Sequence, residues 1–326
     1  MAVITEGPAP FHEGEIEIQR RVGVADKMAV IGRNFIRDHM PDQHREFFES
    51  LPFMVLGTQD AGGQLWATIL AGGGAGFVTS PDDTHLTLSA ALPSADPALA
   101  ALHAGAPVGG LGIELDTRRR NRFTAHVERQ TRSALELKID LSFGNCPQFI
   151  QTREVIETRD PKAPHAETPD TFTRFDEKIR TLIEKADTFF IASATESREP
   201  GKPESGVDVS HRGGAAGFIK VEDDRTFLVP DYAGNFFFNT LGNLLVNPRA
   251  GILFPNFDTG GLVHLAGTVE IIWSGADVDQ LPGAQRAWRF TLDHGITRPD
   301  ALPMRFAFGE FSPRSLKTGT WHQPGV

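Results

Sequence analysis

The chain repeats itself, and that limits its folds more than any other feature. Gly72-Gly73-Gly74-Ala75-Gly76-Phe77-Val78 recurs as Gly213-Gly214-Ala215-Ala216-Gly217-Phe218-Ile219, an offset of 141 residues. Asp82-Asp83-Thr84 and Asp223-Asp224-Arg225 keep the same offset, as do Pro107 with Pro248 and Gly110 with Gly251. Val127-Glu128 returns as Val269-Glu270 at 142, and Phe53 to Thr58 as Phe189 to Ala194 at 136. A longer turn, Glu196 to Pro203, accounts for the last difference. Glycine, aspartate and proline landmarks that keep step over this length indicate two copies of one module.

The module reads as β. Each copy offers about six short strands with glycine-rich turns and one helix after the fourth, which suggests a barrel or sandwich. Phe53 to Thr58 and Leu65 to Leu70 flank the turn Asp60-Ala61-Gly62-Gly63. The acidic turn Val221 to Arg225 signals a hairpin, a helix runs from Phe238 to Val246, and Asn247-Pro248 ends it. Arg249 to Phe254 is the next strand, and Leu135 to Leu141 alternates as another. Outside the copies, residues 1–25 read as an irregular arm. Helices are expected at Lys27 to His39, at the Asp42-capped stretch through Phe47-Phe48, at Phe143 to Gln151, at Thr171 to Ala186 and at Val278 to Ala287. Residues 157–169 read as a linker and Arg305 to Ser312 as a strand. The divisions expected are 1–50 (arm and helices), 51–156 (first copy) and 170–326 (second copy with its tail).

Composition narrows the partners. The net charge of −10 argues against nucleic acid or an anionic membrane. No apolar run approaches the ~18 residues that span a bilayer, and the N-terminus lacks the basic and apolar regions of a signal peptide. A single cysteine, Cys146, forbids an intrachain disulfide and suggests the cytoplasm.

The copies differ where chemistry would sit. Ser210, His211 and Arg212 stand at the offset of Ile69, Leu70 and Ala71; Asn239 stands for Ala98 and Asn243 for Leu102. Three donors ending a strand before two glycines, Gly213 and Gly214, suit a polar ligand approached closely by backbone. The polar residues gather around a helix start, where N–H groups and the dipole hold an anion such as phosphate. The plain alternative for Asn239 and Asn243 is helix capping.

The pattern HRGG…GF…DD…L..PDYAGN..FN.LGNLL.NPR.G.LF resembles the FMN-binding split-barrel family, the pyridoxamine 5′-phosphate oxidase-like proteins. MPDQHREFFESLPF, LGIELDTRRRNRF and SFGNCPQFIQTR resemble its tandem two-barrel branch. The resemblance implies two tandem six-stranded antiparallel split barrels with peripheral helices, and FMN in a groove between barrels. Carried over residue by residue, Ser210, His211, Arg212, Asn239 and Thr240 would hold the phosphate, and Gly213 and Asn243 belong to the same cofactor-binding set. Asp231, Tyr232 and Asn235 would lie near the ribityl chain or ring. The family's basic pair at the helix start is Asn239-Thr240 here, so one phosphate cation is missing and Arg212 is left as the main charge. Asn145 to Gln148 and Trp66 are candidates for the first copy's wall. Arg118-Arg119-Arg120 and Arg122 could reach an anionic cofactor, but such a run reads rather as a solvated face or salt-bridge hub, and Cys146 as a small buried apolar group.

The resemblance implies an FMN-dependent oxidoreductase acting on a small molecule. His211 is the proton-transfer candidate, since a histidine pKa can lie near 7. The tail lacks the Arg-x-His substrate motif of pyridoxamine phosphate oxidation. Some relatives carry a flavin reductase and a ferredoxin module after the barrels, so an external donor of either type is an expected partner, as is a second chain in a homodimer. The alternative is a flavin carrier or a haem-binding module, with His211 or His264 as iron ligand.

Overall fold

The computed structural model describes residues 7–72, 74–160, 168–196 and 202–321. Gly73 of the repeat, residues 161–167 of the expected linker, residues 197–201 of the longer turn and the ends of the arm and tail lie outside them. Three helices come first: α1 (Glu13–Arg21), α2 (Ala25–Phe35) and α3 (Asp42–Ser50). The first sheet comprises β1 (Phe53–Gln59), β2 (Leu65–Ala71), β3 (Val78–Asp82), β4 (His85–Leu88), β5 (Pro107–Glu114), β6 (Arg119–Gln130) and β7 (Leu135–Gly144), with α4 (Pro97–Ala100) after β4. Next are β8 (Arg153–Thr158), β9 (Asp170–Phe172) and α5 (Glu177–Lys185). The second sheet comprises β10 (Thr188–Ala194), β11 (Val207–Gly213), β12 (Lys220–Val221), β13 (Thr226–Tyr232), β14 (Arg249–Pro255), β15 (Leu262–Ile272) and β16 (Ala284–Arg298). Helix α6 (Asn239–Val246) follows β13, α7 (Ala276–Asp279) precedes β16, and β17 (Met304–Phe308) closes the order.

The two sheets have one topology. The first runs β2-β1-β5-β6-β7-β4-β3 and the second β11-β10-β14-β15-β16-β13-β12, with β9 added beside β16. All their pairings are antiparallel, and none among the described residues joins one end of a path to the other, so each barrel is split. Register repeats too. Phe53 faces Ala71 where Phe189 faces Arg212, and Leu56 faces Gly110 where Ala192 faces Gly251. These are the residues that the sequence offsets equate. Each path holds seven strands rather than six, because the glycine-rich turn feeds a short edge strand, β3 or β12.

The barrels pack on a shared apolar layer, including Val55, Leu65, Ile69 and Leu111 from the first and Phe190, Val209 and Leu253 from the second. Each such side chain contributes about 1.5–3 kcal/mol on burial. Backbone crosses backbone at two glycines. A Cβ on Gly109 would lie 2.7 Å from Asp208 Cα, and one on Gly251 2.3 Å from the Leu65 carbonyl oxygen. A buried ion pair also joins the halves: Arg298 meets Asp96, which caps α4 and accepts from Thr68.

Several expectations are corrected. The arm contains α1, because His12 and Glu15 form a reciprocal capping box. Pro41, not Asp42, occupies the N-cap of α3, and no side chain caps it. No helix forms over Phe143 to Gln151: β7 runs on to Gly144, Pro147 lacks an N–H, and Phe149 has a left-handed φ of 63°. Asp170 to Phe172 pair with β16, so α5 starts only after its cap Asp176, which accepts from Ile179 N at 2.8 Å. The helix expected over Val278 to Ala287 ends at Asp279. Pro282 and Gly283 (φ 85°) break it, and Ala284 enters the fifteen-residue strand β16. Within the expected linker, Glu157 and Thr158 belong to β8, which pairs with β17; β17 ends at Phe308, short of Ser312. No helix among the described residues is long and apolar enough to cross a membrane.

Candidate anion and cofactor site

A cavity of about 120 Å³ opens between the barrels. The first copy lines it with Arg120, Arg122 and residues from Asn145 to Phe149; the second lines it from the end of β11, the end of β13 and the start of α6. Of the residues expected at a cofactor site, Ser210, His211, Arg212, Gly213, Asp231, Tyr232, Asn235, Asn239 and Thr240 all line it. Asn243 does not. It lies one turn along α6, where its side chain donates to Ser193 Oγ at 3.1 Å and borders a smaller void with His12 and Glu15. Trp66 is also elsewhere, packed on Ala98, Ala266 and His294 with its ring N–H donating to Asp60 at 3.2 Å.

The α6 end of the cavity is built for negative charge. Phe238 takes the N-cap with φ 62°, and no side chain caps the helix. The N–H groups of its first turn therefore lack a side-chain partner, at the positive end of the dipole. Beside them Thr240 Oγ1 donates to Ser210 Oγ at 2.9 Å. Arg212 donates to Asp231 at 3.0 Å, and Arg286 holds the other oxygen of Asp231 at 2.8 Å. Arg122 pairs with Asp208 and donates to Asn239 Oδ1 at 3.2 Å. Arg120 donates to the Cys146 carbonyl at 2.7 Å. Four guanidinium groups thus stand against the two carboxylates of Asp208 and Asp231, a surplus of two positive charges in a chain of net charge −10. Burial first, then Arg122 close by, pushes Arg120 down to about 9, so it stays charged at neutral pH.

The basic run divides: part is solvated and ion-paired, as its reading as a solvated face or salt-bridge hub has it, and part enters the cavity. Arg118 and Arg119 do sit outside, paired with Glu310 and Glu114. Arg120 and Arg122 fall two apart on β6 and so share one face, the one turned toward the second barrel. Alternation alone sets them opposite the core residues Phe123, Ala125 and Val127, where they read as solvated; the second barrel covers them. They bring positive charge from the first barrel into the cavity that the start of α6 also lines.

His211 is buried, and its pKa is driven well below its ordinary value, mainly by burial and then by Arg120, Arg153 and Arg212. It is not the near-neutral acid–base group expected. Arg120 Nη1 lies 3.3 Å from His211 Nδ1. An arginine N–H only donates, so Nδ1 accepts and the neutral ring carries its proton on Nε2. That N–H is buried without a partner among the described residues. The same tautomer leaves Nε2 no lone pair for iron. His264, fully buried, bonds the Ala67 carbonyl at 2.9 Å and is not among the cavity's lining residues.

The walls are strained and cross-linked. Phe149, Phe236 and Phe238 all line the cavity with φ near +62°, a conformation that costs a bulky residue ~1–3 kcal/mol and clusters at functional sites. Phe149 stacks on Tyr232 at 5.2 Å, and Asn235 donates across the barrels to Asn145 at 2.8 Å. Gly213 is pressed on this same loop: a Cβ there would lie 2.1 Å from the Phe149 carbonyl oxygen.

Behind the cavity, α1 packs on α6 and buries Glu15, which accepts from Asn239 Nδ2. Burial, its largest cause, raises the Glu15 pKa from 4.5 to about 8. A raised carboxyl pKa gives stability that is complete below pH 4.5 and lost as pH rises toward 8. His12, lowered by burial to about 4, acts oppositely, but only between 4 and 6.5. Glu15→Gln should therefore flatten the fall in urea-unfolding stability between pH 6.5 and 8 and exceed the parent at pH 8. Parallel pH profiles for the two proteins would refute the assignment.

Two antiparallel split barrels with a cationic cavity between them define the class. Residues 175–309 match the family described as Pyridoxamine 5′-phosphate oxidase. The match falls on the second barrel alone. No curated protein matches the chain. Among solved structures it is similar to HupZ from Group A Streptococcus (16% identity, 36% of this chain and 89% of that one, TM-score 0.28). It is also similar to an FMN-binding protein from Syntrophomonas wolfei subsp. wolfei (12%, 37% and 84%, TM-score 0.29). A third is HutZ, described as a haem storage protein, from Vibrio cholerae (12%, 39% and 95%, TM-score 0.27).

Proposed function

We propose that this cavity binds the phosphate end of FMN and that the chain is an FMN-dependent oxidoreductase acting on a small molecule. The observation that carries the reading is the meeting of Arg120, Arg122 and Arg212 with the Ser210–Thr240 hydroxyl pair at an uncapped helix start. A phosphate suits that set: guanidinium forks and hydroxyls bond its oxygens, and the helix dipole favours its charge. The unmet Nε2–H of His211 is a fixed donor for a carbonyl or ring nitrogen of the ligand. Bound FMN supplies hydride or electron chemistry. The chain's own residues fix the anion, and the rings of Phe149 and Tyr232 offer an apolar wall. Electrons then come from an external flavin reductase or a ferredoxin-type donor.

The test is an absorption spectrum of the purified full chain, with mass identification of any released small molecule. FMN and a band near ~450 nm are expected. A Soret band, or protein that stays colourless after incubation with FMN, would sink the reading.

A further inference from the structure

A second concavity, of about 700 Å³, lies between α5, the start of β10, the turn after β14 and β17. It shares no lining residue with the cavity between the barrels. Its apolar walls are Leu182, Phe257, Phe306 and Phe308, the last 48% exposed. Helix α5 turns Lys178, Thr181, Leu182 and Lys185 toward it, an i, i+3, i+4, i+7 stripe, while Ile179 and Ile183 enter the core. The lysines on the rim are balanced by Glu177 and Asp258, and the arginine below them by Asp187, so what can select is an unmet donor rather than net charge.

That donor belongs to Arg153, 8% exposed. Its guanidinium lies 4.1 Å over the Phe257 ring and 5.6 Å from that of Phe308. Nη2 donates to both oxygens of Asp187, at 2.6 and 2.7 Å. Nη1 is buried with no acceptor among the described residues. A buried donor left unmet is unfavourable, and a guanidinium donates only. A ligand oxygen at that edge would satisfy it while flat rings beside it stack on a flat ligand body. The volume is that of a small-molecule site.

We propose that this groove is a second ligand site, for a planar aromatic carboxylate whose ring lies on Phe257, Phe306 and Phe308 and whose carboxylate meets Arg153 Nη1. The test titrates the full chain with the aromatic sulfonate 1-anilinonaphthalene-8-sulfonate, followed by fluorescence, then displaces it with 2-naphthoate. One saturable site is expected, weakened about tenfold or more by Phe308→Ser and by Arg153→Lys. Arg212→Ala, in the other cavity, should leave it unchanged. Phe308 is half exposed, so its variant keeps the test valid if Arg153→Lys fails to fold. Four results would overturn the proposal: no saturable binding, equal displacement by neutral 2-naphthylmethanol, loss of the site in Arg212→Ala, or unchanged binding in Phe308→Ser. The last, with a dimer turned monomer, would mark the face as a contact between copies instead. Because the probe reports without flavin, a failed groove and a failed FMN site are separable.

Discussion

Arg212→Ala should weaken FMN binding roughly 10- to 100-fold, the equivalent of losing ~1.5–3 kcal/mol of charge-assisted hydrogen bonding. Arg119→Ala should leave it within about twofold, as expected for a screened surface charge. The two arginines share a charge but not a place. Arg212 stands in the cavity, held in line by Asp231, while Arg119 is half exposed over Phe47 and Glu114. Arg286 keeps its two bonds to Asp231 in the variant, so the fold has no reason to fail with the site. Quenching of FMN fluorescence measures both affinities. Equal losses would remove Arg212, and the second barrel with it, from the phosphate assignment.

Asp96→Ala should cost about 3–5 kcal/mol of unfolding free energy, because a buried guanidinium loses the carboxylate set against it. Arg298 is 3% exposed, so its guanidinium is a buried charge that loses the Asp96 carboxylate. The substitution also removes the cap on α4, worth ~1 kcal/mol. Asp96→Asn keeps a capping side chain and loses the charge, so it should fall between the parent and Asp96→Ala. Urea unfolding measures the series; a loss under about 1 kcal/mol for the alanine variant would mean that the pair does not hold the barrels.

How far the sequence could be read depended on which residues obey local rules. Turns do: the glycine, aspartate and proline landmarks fixed the offset between copies, and the offset of Phe53 with Ala71 against Phe189 with Arg212 survives as strand register. Long-range partners were legible only in part. The loss of polar groups at Ile69, Leu70 and Ala71 pointed to the second barrel as the polar wall. Arg120 and Arg122 read as a solvated face or salt-bridge hub rather than as cofactor groups, because they stand opposite the core face of β6 and nothing local tells that the second barrel covers them. Helix α1 escaped because its capping box uses histidine, a less common cap, and its burial comes from α6 some 220 residues along the chain. The helix expected from Val278 stops at Asp279, ahead of the Pro282-Gly283 break. The left-handed Phe149, Phe236 and Phe238 obey no local rule at all. Tertiary packing imposes those conformations.

The bond from Asn235 to Asn145 and the reach of Arg120 to His211 tie both walls of the cavity to one polypeptide. Such a pocket has no assembly equilibrium of its own. Dilution that would separate the halves of a two-chain site leaves this one whole, and its ligand affinity should not vary with protein concentration.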